Sequence, residues 1–388
     1  MGTPIYLDNN ATTPLDPRVV DAMLPVLRDH FGNPASTTHR HGWYAEELVQ
    51  VAREHVARLI GAQTNEIIFT SGATEANNLA LKGFAHACAH RRSSEKHHLI
   101  SVVTEHRSVL DPLRRLERDG FELDLLGVNQ EGLLDLDHFT GTFRANTILA
   151  SVMLANNEIG VIQNIPLLAA RAKQRSIRFH SDATQAIGKM RVNVDELGVD
   201  LLSLSAHKCY GPKGVGALYV RGGPGAVPLE PLTEGGGHEH GLRSGTLNVP
   251  AIVGMGEACR IMSEELPDVI RKITELTERL RTRLVTTLPE ISINGSLEKR
   301  IPGNLNLVLP TFEASQLLAK VSGQLSLSAT SACTSRAGRS HVLQALGIPE
   351  KDQRFSLRIG IGRFNTAEEI DFTADLLSSM VRKGMLAQ

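Results

Sequence analysis

Charge of either sign is not in excess in this 388-residue sequence: 41 Lys and Arg stand against 42 Asp and Glu, a net −1. That balance excludes a basic nucleic-acid surface and an acidic interaction tail. Cysteine is sparse. The four present, Cys88, Cys209, Cys259 and Cys333, form no CxxC pair and have no metal-type spacing. A disulfide framework is therefore excluded, and a reducing, cytoplasmic location is expected. Long apolar runs are missing: the longest, Ile148 to Ala155, falls far short of the ~20 residues of a membrane span. The start, MGTPIYLDNNATTPLDP, carries neither a basic nor an apolar segment, so no signal peptide is expected. Aromatics are few (one Trp, four Tyr, eleven Phe), and no internal repeat or low-complexity tract is evident.

What remains is ordinary globular material, 41% hydrophobic and 21% charged, which argues against disorder. The 34 glycines point to tight turns and close backbone approaches, as in α/β enzymes with phosphate sites. The length suits two domains, or one large α/β domain with an attachment. Short β-branched runs mark strands at 66–70, 98–103, 122–126, 148–154, 178–181, 201–205 and 216–220. Helical patterns lie between them, such as 44–60, with Leu48, Val51, Val56 and Leu59 on one face and Gly61 as the stop. This alternation predicts an α/β fold with a mostly parallel, buried sheet. A glycine-rich stretch, 222–245, interrupts the rhythm, and Pro267 is expected to end a helix over 252–266. Beyond about residue 290 the pattern is α+β. The expected division is a large domain, 16–260, and a small one formed by 1–15 and 261–388.

In open parallel sheets, ligands bind beyond the carboxyl ends of the strands, so the residues that follow each strand carry the interest. After EIIFT comes Ser71-Gly72-Ala73-Thr74-Glu75, opening a helix. Small and hydroxylated residues there suit a phosphate; an ordinary cap with Glu75 in the first turn is the alternative. Asp182 and Gln185 follow RFHS, and a carboxylate leaving a buried strand must be paired or hydrogen-bonded. Ser205, His207 and Lys208 end or follow LLSLS, and a lysine at a strand end can become the neutral amine of a Schiff base. Singly these residues read as caps and exposed charge. Together, an anion cradle, a carboxylate and a lysine on one sheet edge match pyridoxal phosphate (PLP).

The ordered strings YLDNNATTPLDPRV, FGNPAS, FTSGATEANNLAL, TEHRSVLDP, LANNEIG, SDATQAIGK, SAHKCYGPKGVGALYV, LRSGTLNVP and SACTS resemble the successive motifs of cysteine desulfurases of the NifS/IscS type, within the class V aminotransferases. The resemblance implies PLP fold type I (aspartate-aminotransferase-like), a homodimer, and removal of sulfur from L-cysteine to leave alanine. By the same resemblance Lys208 is the Schiff-base lysine, Asp182 the pyridinium partner and Gln185 the donor to the ring hydroxyl. His106 stacks on the ring and moves protons. Ala73, Thr74, Ser205 and His207 hold the phosphate, with Thr246 reaching from the other subunit. Asn157 and Arg358, helped by Asn33, hold the substrate carboxylate. Cys333 is the persulfide-forming nucleophile. A sulfur acceptor or iron–sulfur scaffold protein is the implied partner, with neither nucleic acid nor membrane involved.

Taken alone, each cysteine has a plainer reading. Free cysteine is commonly buried, but no apolar period surrounds Cys333. Cys209 reads as a packing or turn residue, Cys88 and Cys259 as structural helix residues, and His97-His98 and His238/His240 as loop residues without metal-type partners. The chain departs from the family pattern at Cys209, at Arg336 and Arg339 after the nucleophile, and around SLRIGIGRFN. Its end, soon after the last helix, leads to the expectation that a longer scaffold-docking tail is absent. A selenocysteine lyase, a PLP aminotransferase with an incidental cysteine, and a sulfur-carrier or interaction protein on an inactive scaffold stay open as alternatives.

Overall fold

The computed structural model describes residues 3–91, 96–309, 312–329 and 339–386. Each β-branched run becomes a strand of one seven-stranded sheet, in the spatial order Ile67–Thr70, Gly216–Val220, Leu201–Ser205, Arg178–Asp182, Thr147–Ser151, His98–Val102, Glu122–Leu126. All are parallel except Gly216–Val220, which runs against both neighbours. Most of these strands are buried along their whole length, as a sheet covered on both faces requires.

Two strand ends differ from expectation in a way that matters for the site. The strand expected to stop at Ser181 includes Asp182, which places the carboxylate on its last residue. The strand expected to reach Leu154 ends at Ser151. His98 is no loop residue: it opens a strand, fully buried, with its ring nitrogens on Thr147 Oγ1 at 2.8 Å and Asp124 Oδ2 at 3.1 Å.

The first long helix spans Arg40–Ile60 and stops, as expected, at Gly61, whose φ of +68° suits glycine. Its buried face is only partly the expected one: Val56 is buried and Leu48 and Leu59 pack half-buried against the core. Ala45, Val49, Ala52, Val56 and Ile60 face inward while Val51 is 43% exposed. The reason is close packing on the helix Val249–Thr287: a Cβ on Gly256 would lie 2.5 Å from Ala52 Cα, so small residues, not the bulkiest, mark the contact. Pro267 does not break that 39-residue helix. Pro267 is exposed, so the backbone carbonyl one turn earlier that loses its N–H partner can turn to water.

The glycine-rich segment is pinned through Glu239, whose carboxylate takes Arg53 Nη1 and Nη2 at 2.8 and 2.7 Å and Phe69 N–H at 2.7 Å. Beyond the long helix, Ser292–Ile293, Asn304–Val308, Ser356–Gly360 and Ser328–Ala329 form an antiparallel sheet, with the helix Ala367–Leu386 packed on Val249–Thr287. The N-terminal strand Ile5–Tyr6 joins this end of the chain by pairing with Leu325–Ser326. Among the described residues no helix is long and apolar enough to cross a membrane.

Candidate active site

Ten of the thirteen residues singled out from the sequence line a single cavity of about 510 Å³ at the carboxyl ends of the parallel strands: Ala73, Thr74, His106, Asn157, Asp182, Gln185, Ser205, His207, Lys208 and Arg358. The topology explains their convergence. Asp182 ends one parallel strand, Ser205 ends its neighbour, and Ala206–Lys208 is the turn that follows.

Asp182 is 4% exposed. Its Oδ1 accepts Thr184 N–H at 2.9 Å and its Oδ2 accepts Asn77 Nδ2–H at 2.8 Å. Asn77 donates its other N–H to Ser108 Oγ at 2.8 Å, and that oxygen lies 2.8 Å from His106 Nδ1. The carboxylate and the imidazole are thus tied through one buried amide. Burial lowers the His106 pKa, with Asp182 opposing and Lys208 reinforcing, so the ring is held neutral. Its Nδ1 accepts Ser108 N–H at 3.1 Å, which leaves the proton on Nε2. Behind Asp182 sits His180, pushed down to about 4 by burial. Glu105, fully buried, is raised well above the usual carboxylate range by burial and by Asp182.

Lys208 Nζ donates to the carbonyls of Asn10 and Ala11, at 2.6 and 2.7 Å. His207 is pushed down to about 4, first by burial and then by Lys208 and Lys213, and its Nδ1 lies 3.1 Å from Thr12 Oγ1. The helix start at Ala73 bears out the capping reading of SGATE and lies at the cavity. Glu75 does cap, accepting Ser71 N–H at 2.6 Å, while Gly72, Ala73 and Thr74 line the cavity. Gly72 has φ +151°, ψ 177°, a glycine conformation. A Cβ on Gly216 would lie 2.5 Å from Leu204 O and 2.7 Å from Gly72 Cα, so the loop lies directly on the strand ends.

Arg358 is buried at 3% exposure, and its clamp already holds a carboxylate. Nη2 is 2.9 Å from Asp8 Oδ1 and Nη1 donates to Asn157 O at 3.1 Å, while Nε has no partner among the described residues. Asn33 and Thr246 do not line this chain's cavity; both are exposed, and Asn33 Oδ1 accepts Ala35 N–H at 3.0 Å. Cys333 lies outside the described residues. Cys209 is fully buried, its Sγ 3.3 Å from Ala206 O, as a packing residue would be.

Sequence reasoning missed Asp8, Asn10, Ala11, Thr12, Met153, Glu158 and His341 as parts of the site. The first four, and Glu158 in LANNEIG, lay within quoted motifs but with no local signal of their partners. Glu158 is raised to about 7 by burial, against the stabilising Ser340 hydroxyl at 2.5 Å and Arg358.

The cavity suits a polar, anionic guest. Of eleven buried side-chain polar atoms without a partner among the described residues, five belong to its lining: Asn10 Oδ1 and Nδ2, Thr184 Oγ1, His341 Nδ1 and Arg358 Nε. Orphaned atoms are rare in protein interiors and their concentration here marks where a ligand would satisfy them. An amine, a carboxylate at a strand end and a helix start among hydroxyl and imidazole groups fit PLP's aldehyde, ring nitrogen and phosphate.

Fold and site together define a PLP enzyme of fold type I. The chain belongs to the class V aminotransferase family, whose sequence pattern matches residues 5–372. It is 49% identical over 386 residues to the cysteine desulfurase IscS of Mannheimia succiniciproducens, covering 99% of this chain and 94% of that one. It is 50% identical over 382 residues to the cysteine desulfurase IscS of Neisseria meningitidis, covering 98% and 93%. Among solved structures, a NifS-like protein superposes with a TM-score of 0.89 at 35% identity, over 98% of this chain and all of that one. A second, SspA in complex with cysteine, superposes at 0.78 with 35% identity, over 93% of this chain and all of that one.

Proposed function

We propose that this protein is a PLP-dependent cysteine desulfurase that converts L-cysteine to L-alanine and leaves the sulfur as a persulfide on Cys333, for delivery to an iron–sulfur scaffold or another acceptor. The observation that carries the reading is the convergence of Lys208, Asp182, His106, Gln185 and Arg358 on one cavity in a chain of this family. When bound, PLP supplies an electron sink for the carbanion at the substrate Cα. Asp182 sits where it can hold the ring nitrogen protonated, and the Asn77 and Thr184 N–H groups fix its orientation. Ala73, Thr74, Ser205 and His207 hold the phosphate, and neutral His207 does so as a hydrogen-bond donor. Gln185 offers an N–H to the ring oxygen. The Lys208 amine would anchor the cofactor and would move the proton at the substrate Cα. Neutral His106 stacks on the ring and transfers a second proton through Nε2. Asn157 and Arg358 receive the substrate carboxylate, which must share or displace Asp8.

The sulfur step balances without an added oxidant. The Cys333 thiolate attacks the substrate sulfur, an S–S bond forms, and the Cβ–S bond breaks. Its electron pair stays with the carbon fragment, which gains a proton to become alanine. The attack needs the thiolate form of Cys333. Mass spectrometry after L-cysteine should show alanine and one added sulfur on Cys333, while Cys333→Ala should release alanine at most at a trace rate. Alanine release by Cys333→Ala at the wild-type rate with dithiothreitol present, or turnover of selenocysteine but not cysteine, would defeat the proposal.

The protein is further proposed to act in the cytoplasm as a homodimer, with Thr246 serving the partner's cavity. Two observations support the dimer. Thr246 is exposed and outside its own cavity, and the large apolar side chains of Leu27, Phe31 and Trp43 are 59, 75 and 56% exposed. Sedimentation should give twice the chain mass at micromolar protein; a monomer there contradicts it. The division into 16–260 and 1–15 with 261–388 belongs to the same proposal, supported by the pairing of Ile5–Tyr6 with Leu325–Ser326.

A further inference from the structure

Behind the cavity wall lies a lysine with no counter-ion among the described residues. Lys189 is 2% exposed, and its Nζ has one hydrogen-bond acceptor there, Gln185 Oε1 at 3.0 Å. The charges that act on it, Lys208 and Arg358, are both cations; with burial as the larger cause, they bring it down to about 7. A buried ammonium without a carboxylate is costly. Its contact with a residue of the cavity wall is the feature that gives it a use.

We infer that Lys189 is a positioning residue that sets which end of the Gln185 amide faces the cavity. Lys189 Nζ donates to Oε1 whether charged or neutral, and Nε2 donates to the Asn10 carbonyl, which only accepts, so the amide oxygen faces the lysine. That choice turns Nε2 to the opposite side. One of its N–H groups goes to Asn10 O at 2.9 Å, and the second is left for an acceptor in the cavity. The inference rests on the function proposed above, in which that acceptor is the ring oxygen of bound PLP. Asn10 O also accepts from Lys208 Nζ at 2.6 Å, so amide and amine are aligned against one carbonyl. Without Lys189, the Asn10 carbonyl alone opposes a turn of the Gln185 amide that would present its oxygen to the ring oxygen, exchanging an attraction for a repulsion. Lys189 itself touches neither substrate nor cofactor.

The test is a pH titration of the visible absorption band of the cofactor bound at Lys208. Lys189→Met replaces the ammonium by an apolar chain of similar length. A lost donor to the ring oxygen should raise the midpoint by about half a unit to one unit. Gln185→Leu should raise it comparably, and Lys189→Met should add nothing in the Gln185→Leu background, because the relay is already cut. An unchanged midpoint in Lys189→Met overturns the inference. So does an equal shift in the Gln185→Leu background, which would mean the charge acts directly. If Lys189→Met does not fold, Lys189→Gln carries the test, since its amide can still donate to Gln185. A midpoint near wild type is then expected, and a shift as large as that of Gln185→Leu overturns the relay. Purified wild-type protein with no visible band and no cofactor mass on Lys208 would instead remove the functional reading beneath it.

Discussion

Lys208→Ala is expected to reduce alanine formation by on the order of 10³-fold or more, because it removes both the covalent anchor of the cofactor and the group that moves the Cα proton. Borohydride reduction of the wild-type protein should leave the cofactor mass on the peptide containing Lys208, and the variant should show none. Arginine should not substitute, since a guanidinium stays protonated and forms no Schiff base. The structure adds a second consequence. Lys208 Nζ bonds the carbonyls of Asn10 and Ala11, which hold the N-terminal segment against the end of Leu201–Ser205. Truncation to alanine takes a donor from both, at a cost of about 1–3 kcal/mol in unfolding free energy. Activity within tenfold of wild type, or cofactor mass recovered on another lysine, would contradict the assignment.

Asp182→Asn is expected to lower kcat by about 10²- to 10³-fold, the scale of losing one preorganised electrostatic contact to a developing charge. The substitution is nearly isosteric, and Thr184 N–H can still bond the remaining oxygen. The new amide NH₂, however, faces the Asn77 NH₂, a donor against a donor where Oδ2 now accepts at 2.8 Å. Asn77 Oδ1 has no partner among the described residues, so turning its amide over relieves that conflict but withdraws its N–H from Ser108, and with it the support of His106. Loss of charge and loss of imidazole support should therefore appear together, as a lower kcat and a weaker cofactor band. A kcat within threefold of wild type would show that Asp182 does not face the ring nitrogen.

The alternation of β-branched and helical segments marked all seven strands of the large sheet within a few residues, because period and length are local properties. The strand-end residues Asp182, Ser205 and Lys208 were legible for the same reason: the carboxyl ends of parallel strands are where a sheet of this type binds ligands. Legibility failed where packing chose between equivalent faces. Val51 was placed inside by its size, yet Ala52 is inside, because Gly256 on a helix two hundred residues away needs room for backbone contact. Pro267 was read as a stop because proline forfeits one hydrogen bond, and only its exposure shows why the helix tolerates that loss.

The sequence by itself determined the family, the order of the motifs and ten of the cavity residues, since these depend on residue type and on position along a strand. The tertiary structure decided how those residues are held. Arg358 is bound by Asp8, 350 positions earlier, Lys208 by Asn10 and Ala11, and His106 is tied to Asp182 through Asn77 and Ser108. A hydrogen bond depends on where two groups meet in space. No spacing along the chain records a meeting that only the packed sheet brings about.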